Sequence, residues 1–185
     1  MPDKQSDPPL ADGVTTIGDN ATLIGGHGST LIGGRGSKLT GGALSNLIGH
    51  ENSTLIGGVL STLTGGRHST LTGGYGSTLR GGHDSTLNGG AYSTLIGGAN
   101  STLIGGVYAT MTGGANSTLI GGVYATMTGG LGSTMTGGLG STITAYWRKL
   151  PGGSCRRAIA KVGDGGLTPD VAYRCVLGRW VQQNT

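Results

Sequence analysis

The sequence predicts an all-β protein, a parallel β-solenoid built from eight-residue repeats and closed at its C-terminal end by a small cap of different sequence. From residue 19 to residue 146 the chain divides without gaps into sixteen octads of consensus x-x-Ser-Thr-Leu-(Ile/Thr)-Gly-Gly. The 185 residues include 42 glycines and no phenylalanine, 35% are hydrophobic and 11% are charged, and a chain of this composition has too little apolar bulk for a thick globular core. Helices are excluded, because the two glycines in nearly every octad would each cost about 1 kcal/mol relative to alanine.

Each octad contains one short strand whose side chains alternate between two faces. Position three is always Ser or Ala, and position five is always Leu, Met or Ile. Charge is tolerated at positions four and six, where Lys38 and Arg80 occur. Positions three and five are therefore expected to point inwards, and positions four and six outwards. The Gly-Gly pair and the next two residues form a corner, where we expect glycine to supply positive φ and close approach of the chain.

One full coil is expected to take two octads. Residues 99–114 and 115–130 are the same sixteen-residue peptide, ANSTLIGGVYATMTGG. A coil of this length stacks Tyr92, Tyr108 and Tyr124 above one another at one corner. The opposite corner receives a polar column that consists of Asn20, Asn52, Asp84, Asn100 and Asn116. Eight coils with strands about 4.8 Å apart would form a rod roughly 38 Å long.

The sequence divides into three parts: a flexible N-terminal arm (1–13), the solenoid (14–144) and a capping subdomain (145–185). Residues 14–18, VTTIG, are expected to be a degenerate entry coil. Cap strands are expected near 155–162, 171–176 and 179–182, in a small meander. All five prolines lie outside the octads, as continuous ladders of backbone hydrogen bonds require. The side chains expected to cover the last coil are those of Trp147, Ile159, Val162, Tyr173 and Trp180.

The net charge of +4 resides in the C-terminal part, where residues 145–185 contain seven Lys or Arg and two Asp. Such a basic segment suits nucleic acid or anionic lipid. A solvated face on a small cap is the simpler interpretation, and no nucleic-acid partner is expected. No apolar run reaches 18 residues, so we expect no integral membrane span. The first residues lack the apolar stretch of a signal peptide.

The side chains that usually carry catalysis or metal binding show no suitable pattern. His27, His50, His68 and His83 occupy different repeat positions without metal-like spacing. Paired carboxylates and a Ser/His/Asp arrangement are not found, so we expect no enzymatic activity, cofactor or metal. Cys155 and Cys175 either pair across adjacent cap strands or remain free thiols.

The octads STLIGG and STLTGG, the YGST at 75–78 and the tail segments YWRKL, CRRAIAKVGDGG and LTPDVAYR resemble bacterial ice-nucleation proteins. The resemblance covers residues 19–180 and describes a short form that lacks the family's N-terminal domain. It implies a β-solenoid whose partner is ice or ordered water. It also implies a location at the bacterial cell surface or outer membrane, with the cytoplasm as the alternative.

Outward Thr-x-Thr pairs at positions four and six are the residues on which that activity would depend. Four of the six pairs fall on the face of the even-numbered octads, which is richest from Thr110 to Thr144 and is interrupted by Arg80 and Ile96. The six pairs are Thr62 with Thr64, Thr70 with Thr72, Thr110 with Thr112, Thr126 with Thr128, Thr134 with Thr136 and Thr142 with Thr144.

Two other interpretations of these faces stay open. Threonine is a good strand former on any half-exposed surface, so the pairs could be purely structural. Isoleucine at position six could instead mark an interface, which would make the protein a scaffold that forms a homo-oligomer side by side or through its capped end. The isoleucines concerned are Ile24, Ile32, Ile48, Ile56, Ile96, Ile104 and Ile120.

Overall fold

The computed structural model describes residues 13–148, 154–163 and 166–183, and all regular secondary structure in these ranges is β. Apart from Gly13, the predicted N-terminal arm lies outside them. The array strands are β1 (Val14–Ile17), β2 (Thr22–Ile24), β3 (Thr30–Gly33), β4 (Lys38–Thr40), β5 (Asn46–Gly49), β6 (Thr54–Ile56), β7 (Thr62–Thr64), β8 (Thr70–Gly73), β9 (Thr78–Arg80), β10 (Thr86–Gly89), β11 (Thr94–Ile96), β12 (Thr102–Gly105), β13 (Thr110–Gly113), β14 (Thr118–Gly121), β15 (Thr126–Gly129), β16 (Thr134–Gly137) and β17 (Thr142–Trp147). The cap strands are β18 (Arg156–Lys161), β19 (Ala172–Val176) and β20 (Arg179–Gln182).

Two parallel sheets face each other across the core. Sheet A contains the odd-numbered strands β1 to β17, and sheet B contains the even-numbered strands β2 to β16. Each strand pairs in parallel with the strand sixteen residues away, as Thr94 does with Thr110 and Thr102 with Thr118. The predicted parallel β-solenoid of about eight coils is confirmed. The entry segment also forms a strand, since β1 pairs with β3.

The core is a single stack of position-five side chains. From Leu39 to Leu103 these leucines have no exposed surface, and the position-three serines beside them are also buried. Most of these serine hydroxyls are satisfied locally, as when Ser61 Oγ donates to the carbonyl oxygen of Gly58 at 2.8 Å. Each buried leucine contributes on the order of 2 kcal/mol, so stability accumulates by stacking coils.

The corners correct one expectation about the glycines. In all sixteen octads it is position two that has positive φ, and in eleven of them this residue is not glycine, with φ between 55° and 58°. This conformation directs the amide to the next coil, where the N–H of Tyr92 donates to the carbonyl oxygen of Val107 at 2.8 Å. The Gly-Gly pair provides room for close packing. A Cβ at position seven would meet the position-three side chain of the next octad, and one at any position-eight glycine except Gly26 would meet the backbone of the previous coil. In the fourth octad His50 takes the place of the position-eight glycine.

The C-terminal cap continues both sheets with antiparallel strands. Strand β18 pairs with β17 in sheet A, whereas β19 pairs with β16 and then with β20 in sheet B. The three strands fall close to the predicted ranges, but they are divided between the two sheets instead of forming one separate meander. None of the described segments is a helix long and apolar enough to cross a membrane.

Four of the five side chains expected to cover the last coil lie against the core. Val162 and Tyr173 are buried, and Trp147 and Trp180 pack half-buried against the same cluster. Ile159 does not cover the coil and is 55% exposed. It pairs with Thr144, whose side chain points outwards, and antiparallel partners project to the same face of a sheet.

Candidate functional site

The outer faces of both sheets carry long columns of position-four threonines. On sheet A the uninterrupted column consists of Thr62, Thr78, Thr94, Thr110, Thr126 and Thr142. On sheet B it consists of Thr54, Thr70, Thr86, Thr102, Thr118 and Thr134. Position six distinguishes the faces, because its residues vary from coil to coil.

Three complete Thr-x-Thr pairs lie next to one another on sheet A. Direct register joins Thr110 to Thr126 to Thr142 in one column, and Thr112 to Thr128 to Thr144 in the other. We call these six residues the threonine block. Each is at least partly exposed. The hydroxyls repeat about every 4.8 Å across the strands and about every 6.6 Å along them, so the block is a small, flat lattice of hydroxyl and methyl groups.

One of the other three predicted pairs lies on the same sheet but outside the block. Thr62 and Thr64 occupy β7, and Thr64 is the register partner of Arg80. Arg80 in turn pairs with Ile96, which pairs with Thr112 of the block. Two rows without a complete pair therefore separate Thr62 and Thr64 from the lattice, as the predicted interruption by Arg80 and Ile96 requires.

The two remaining predicted pairs lie on sheet B, which faces the other way. They are Thr70 with Thr72, in β8, and Thr134 with Thr136, in β16. In the position-six column Thr72 lies between Ile56 and Asn88, and Thr136 follows Ile120, so neither extends a column of threonines. Thr72 and Thr136 thus belong to isolated pairs on the face opposite the block. The structure brings together six of the twelve predicted threonines.

The threonine block ends at the cap without a break in the sheet. Lys161 is the register partner of Thr142, and Ile159 is that of Thr144. Tyr146 continues the outward row of β17 and pairs with Arg157. Ile159 therefore borders the lattice, with Arg157 and Lys161 on either side of it along β18. This border was not predicted from the sequence, because Ile159 was expected to cover the last coil.

One corner of the solenoid is an apolar and aromatic ridge. The rings of Tyr92, Tyr108 and Tyr124 stack with centroids 5.1 and 5.2 Å apart and interplanar angles of 20° and 14°. Tyr75 extends the row with a tilted contact of 5.2 Å to Tyr92. Tyr75 occupies position one of its octad, whereas the other three occupy position two, so the predicted column does not include it. About half of each ring residue remains exposed.

The opposite corner holds members of the predicted polar column together with two histidines, His68 and His83, whose participation was not predicted. Asp84 Oδ2 forms a hydrogen bond with His83 Nδ1 and lies 3.7 Å from His68 Nδ1. Asn100 Nδ2 is 3.4 Å from His83 Nε2. The two histidines are fifteen residues apart, one short of a full coil, and this spacing was the available signal. The hydrogen bond from His83 lowers the pKa of Asp84, an effect that partial burial opposes and Asn100 and His68 reinforce.

These corner residues do not amount to a metal centre. Within the part of the chain that the structure describes, no three His, Cys, Asp or Glu side chains are arranged to hold a metal ion. The arrangement is that of a hydrogen-bonded polar column. It stabilises the corner without presenting an open coordination site.

The two thiols of the cap are free and lie in different environments. Cys155 is exposed and accepts a hydrogen bond from Arg148 Nε at 3.1 Å, whereas Cys175 is buried. Burial raises the pKa of the Cys175 thiol, and a backbone hydrogen bond with Gly178 partly opposes the rise. Cys155 precedes a strand of sheet A and Cys175 lies within a strand of sheet B, so they are not on adjacent strands.

The threonine block is where two threonine columns run side by side in direct register, and it is the candidate working site. It offers hydrogen-bonding groups at fixed spacings on a rigid support. Comparison of the chain with protein-family models, with curated proteins and with solved structures gives no match, so the functional proposal rests on the geometry of the solenoid and its faces.

Proposed function

We propose that this protein orders water or binds ice through the threonine block. The observation that supports the proposal is the direct register of three consecutive Thr-x-Thr pairs on one sheet. Such a lattice presents hydroxyl groups that hydrogen-bond to water and methyl groups that limit alternative hydration. The resemblance of the octads and the C-terminal tail to ice-nucleation proteins supports the same function.

Rigidity is what suits the block to this role. Every threonine of the block lies on a strand that is hydrogen-bonded on both sides, so its backbone position is fixed before water arrives. The protein therefore loses little conformational entropy when water molecules adopt the spacing of the surface. Because the block is only three pairs long, we expect it to bind existing ice more effectively than it nucleates new ice.

Freezing assays on the purified full chain test the proposal. Microlitre droplets should freeze at a higher temperature than buffer droplets, or the protein should slow the coarsening of ice grains during recrystallisation. Circular dichroism on the same sample establishes that the solenoid is folded. A folded protein with no effect in either assay would refute the proposal.

A second candidate function is a scaffold that associates side by side. The observation that favours it is exposed aliphatic surface: on sheet B, Ile56, Ile104 and Ile120 are 46%, 38% and 41% exposed. Ile104 and Ile120 are adjacent in register, and the aromatic ridge adds further apolar surface. Analytical ultracentrifugation of Ile104→Lys against the parent tests this candidate. Association that the substitution abolishes, with no effect of the parent on ice, would favour the scaffold.

A further inference from the structure

The cap presents cationic and aliphatic side chains in alternation on the outer faces of both sheets. On sheet A, β18 projects Arg157 and Ile159 outwards, in register with the outward Tyr146 and Thr144. On sheet B, β19 projects Arg174 and Val176, and β20 carries Arg179 and Val181 opposite them. These six side chains of the cap strands are all exposed. Because β18 and β20 are the last strands of their sheets, they surround one end of the rod.

The arginines of the cap have no acidic partner among the described residues. None of the five arginines there, Arg148, Arg156, Arg157, Arg174 and Arg179, forms an ion pair with a described carboxylate. Asp170 is the one acidic residue in the described part of the cap. The array differs, since its four Lys or Arg are accompanied by three Asp or Glu. A cap of this charge is electrostatically complementary to an anionic partner.

A cleft of about 400 Å³ lies among these residues, where the cap meets the last coils. Arg148 and Arg174 line it together with Trp147 and the buried Cys175. The guanidinium of Arg156 lies over the Trp147 ring, 5.8 Å from its centroid. The cleft therefore combines guanidinium groups, which match phosphate geometry, with an apolar wall.

We propose that the cap binds peripherally to anionic lipid bilayers, with its arginines on the lipid phosphates and its exposed aliphatic side chains in the interfacial region. Basic residues near an anionic surface attract it, and adjoining apolar side chains add interfacial burial. The outward residues between the arginines are Ile159, Val176 and Val181, which suit lipid. Single-stranded nucleic acid would need several exposed aromatic rings in series on which bases stack, whereas both tryptophans pack against the core and Tyr146 is the one exposed aromatic ring in the described part of the cap. This inference is independent of the proposed action on ice.

Vesicle co-sedimentation of the full chain tests the inference. The probes are vesicles of phosphatidylcholine alone and vesicles in which a third of the lipid is phosphatidylglycerol. We expect binding to the anionic vesicles only, reversed by high salt, because the attraction is screened. Absence of binding to anionic vesicles at low salt, or equal binding to both kinds, would overturn the inference.

Matched variants locate the surface. Arg174→Gln with Arg179→Gln removes two outward cations of the cap, and Arg67→Gln with Arg80→Gln removes two cations of the array. At about fivefold per cation, the cap variant should bind anionic vesicles roughly 25-fold more weakly, while the array variant stays within about threefold of the parent. Thermal unfolding establishes that both are folded. Equal weakening of the two variants would overturn the assignment to the cap.

A third variant and a competing probe complete the test. Ile159→Ser with Val181→Ser keeps the charge and should weaken vesicle binding by about tenfold, because apolar burial is lost. Unchanged binding would contradict the proposed interfacial insertion.

A labelled single-stranded DNA, measured in the same buffer, should bind more weakly than the anionic vesicles. Tighter binding to DNA would overturn the assignment to lipid.

Discussion

A Cβ placed on Gly114 would lie 2.6 Å from the backbone nitrogen of Ala99 in the previous coil. Neither atom can move away, because the N–H of Gly114 also donates to the carbonyl oxygen of Gly98 at 3.1 Å. We therefore expect Gly114→Ala to lower the free energy of unfolding by about 3 kcal/mol, the upper part of the usual range for overpacking. Urea unfolding followed by circular dichroism measures the change.

The first coil supplies the control for this prediction. Gly26 has the same repeat position, but no atom of the described residues lies within 4 Å of a Cβ built there. Gly26→Ala should leave the free energy of unfolding within about 0.5 kcal/mol of the parent. Comparable losses in the two variants would show that coil-to-coil contact is not the reason for glycine at position eight.

The threonine block should tolerate charge structurally while losing its effect on ice. Lys38 at position four and Arg80 at position six show that the outer face accommodates long cationic side chains. In the double variant Thr126→Lys, Thr128→Arg, the middle row of the lattice is removed. We expect the parent's effect on droplet freezing or on ice recrystallisation to fall towards that of buffer, with stability within about 0.5 kcal/mol of the parent.

The same substitutions on the other sheet distinguish the threonine block from a general surface effect. Thr118→Lys with Ile120→Arg changes one row of sheet B and leaves all three pairs of the block intact. This variant should retain the freezing activity of the parent. If it loses that activity and the sheet A variant keeps it, the working face is on sheet B.

Acid should weaken the polar corner, because the pKa of Asp84 lies below its ordinary value of 3.8 when the protein is folded. A carboxyl group with a depressed pKa stabilises the fold above its unfolded pKa, and this contribution is lost as the pH falls through the folded value. Asp84→Asn, which also suits the positive φ of 56°, should therefore remove part of the stability difference between pH 6 and pH 3. Thermal unfolding at the two pH values measures it.

Asp170 provides the comparison for this experiment. It also has positive φ, at 59°, but it lies in the cap, away from the histidine cluster. Asp170→Asn should leave the difference in stability between the two pH values closer to that of the parent than Asp84→Asn does. The reverse order would mean that His83 and His68 do not stabilise the Asp84 carboxylate.

Because position two requires a left-handed backbone, some substitutions there should raise the stability of the protein. Leu44 has φ of 58° and is 54% exposed, so it bears the cost of a left-handed conformation with little burial in return. Asparagine tolerates this conformation, and Leu44→Asn should raise the free energy of unfolding by about 0.5–1 kcal/mol. Val59 occupies position one at the same corner in the next coil, where its carbonyl oxygen accepts the hydrogen bond from Leu44 N–H, and its φ is not positive. Val59→Asn should therefore give no gain in stability. A loss of stability in Leu44→Asn would contradict the explanation.

Much of the array could be predicted from the sequence because each repeat position has a single environment. Serine or alanine at position three and leucine at position five indicated the inward face, and the repeated sixteen-residue peptide indicated the length of one coil. The entry strand over Val14–Ile17 and the three cap strands were also close to their predicted places.

The remaining features depend on neighbours that the octad pattern does not contain. The positive φ at position two had a signal in the sequence, since ten of the sixteen residues there are Gly, Asn or Asp, but Leu44 and Tyr108 as residue types do not indicate it and depend on hydrogen bonds between coils. The histidine cluster joins residues at different repeat positions, so a comparison by columns missed it. The outward orientation of Ile159 depends on its pairing with Thr144, which local sequence does not specify.

The two-octad coil also constrains how such a gene can change length. Residues 99–114 and 115–130 are identical, as expected of a tandem duplication of sixteen codons. Inserting sixteen residues lengthens the rod and leaves Thr126 on the same side as Thr110. Inserting eight would transfer every later threonine pair to the opposite sheet and exchange the tyrosine edge with the asparagine edge. The rod can therefore grow by whole coils with its columns intact, whereas growth by half a coil would divide the threonine pairs between two faces.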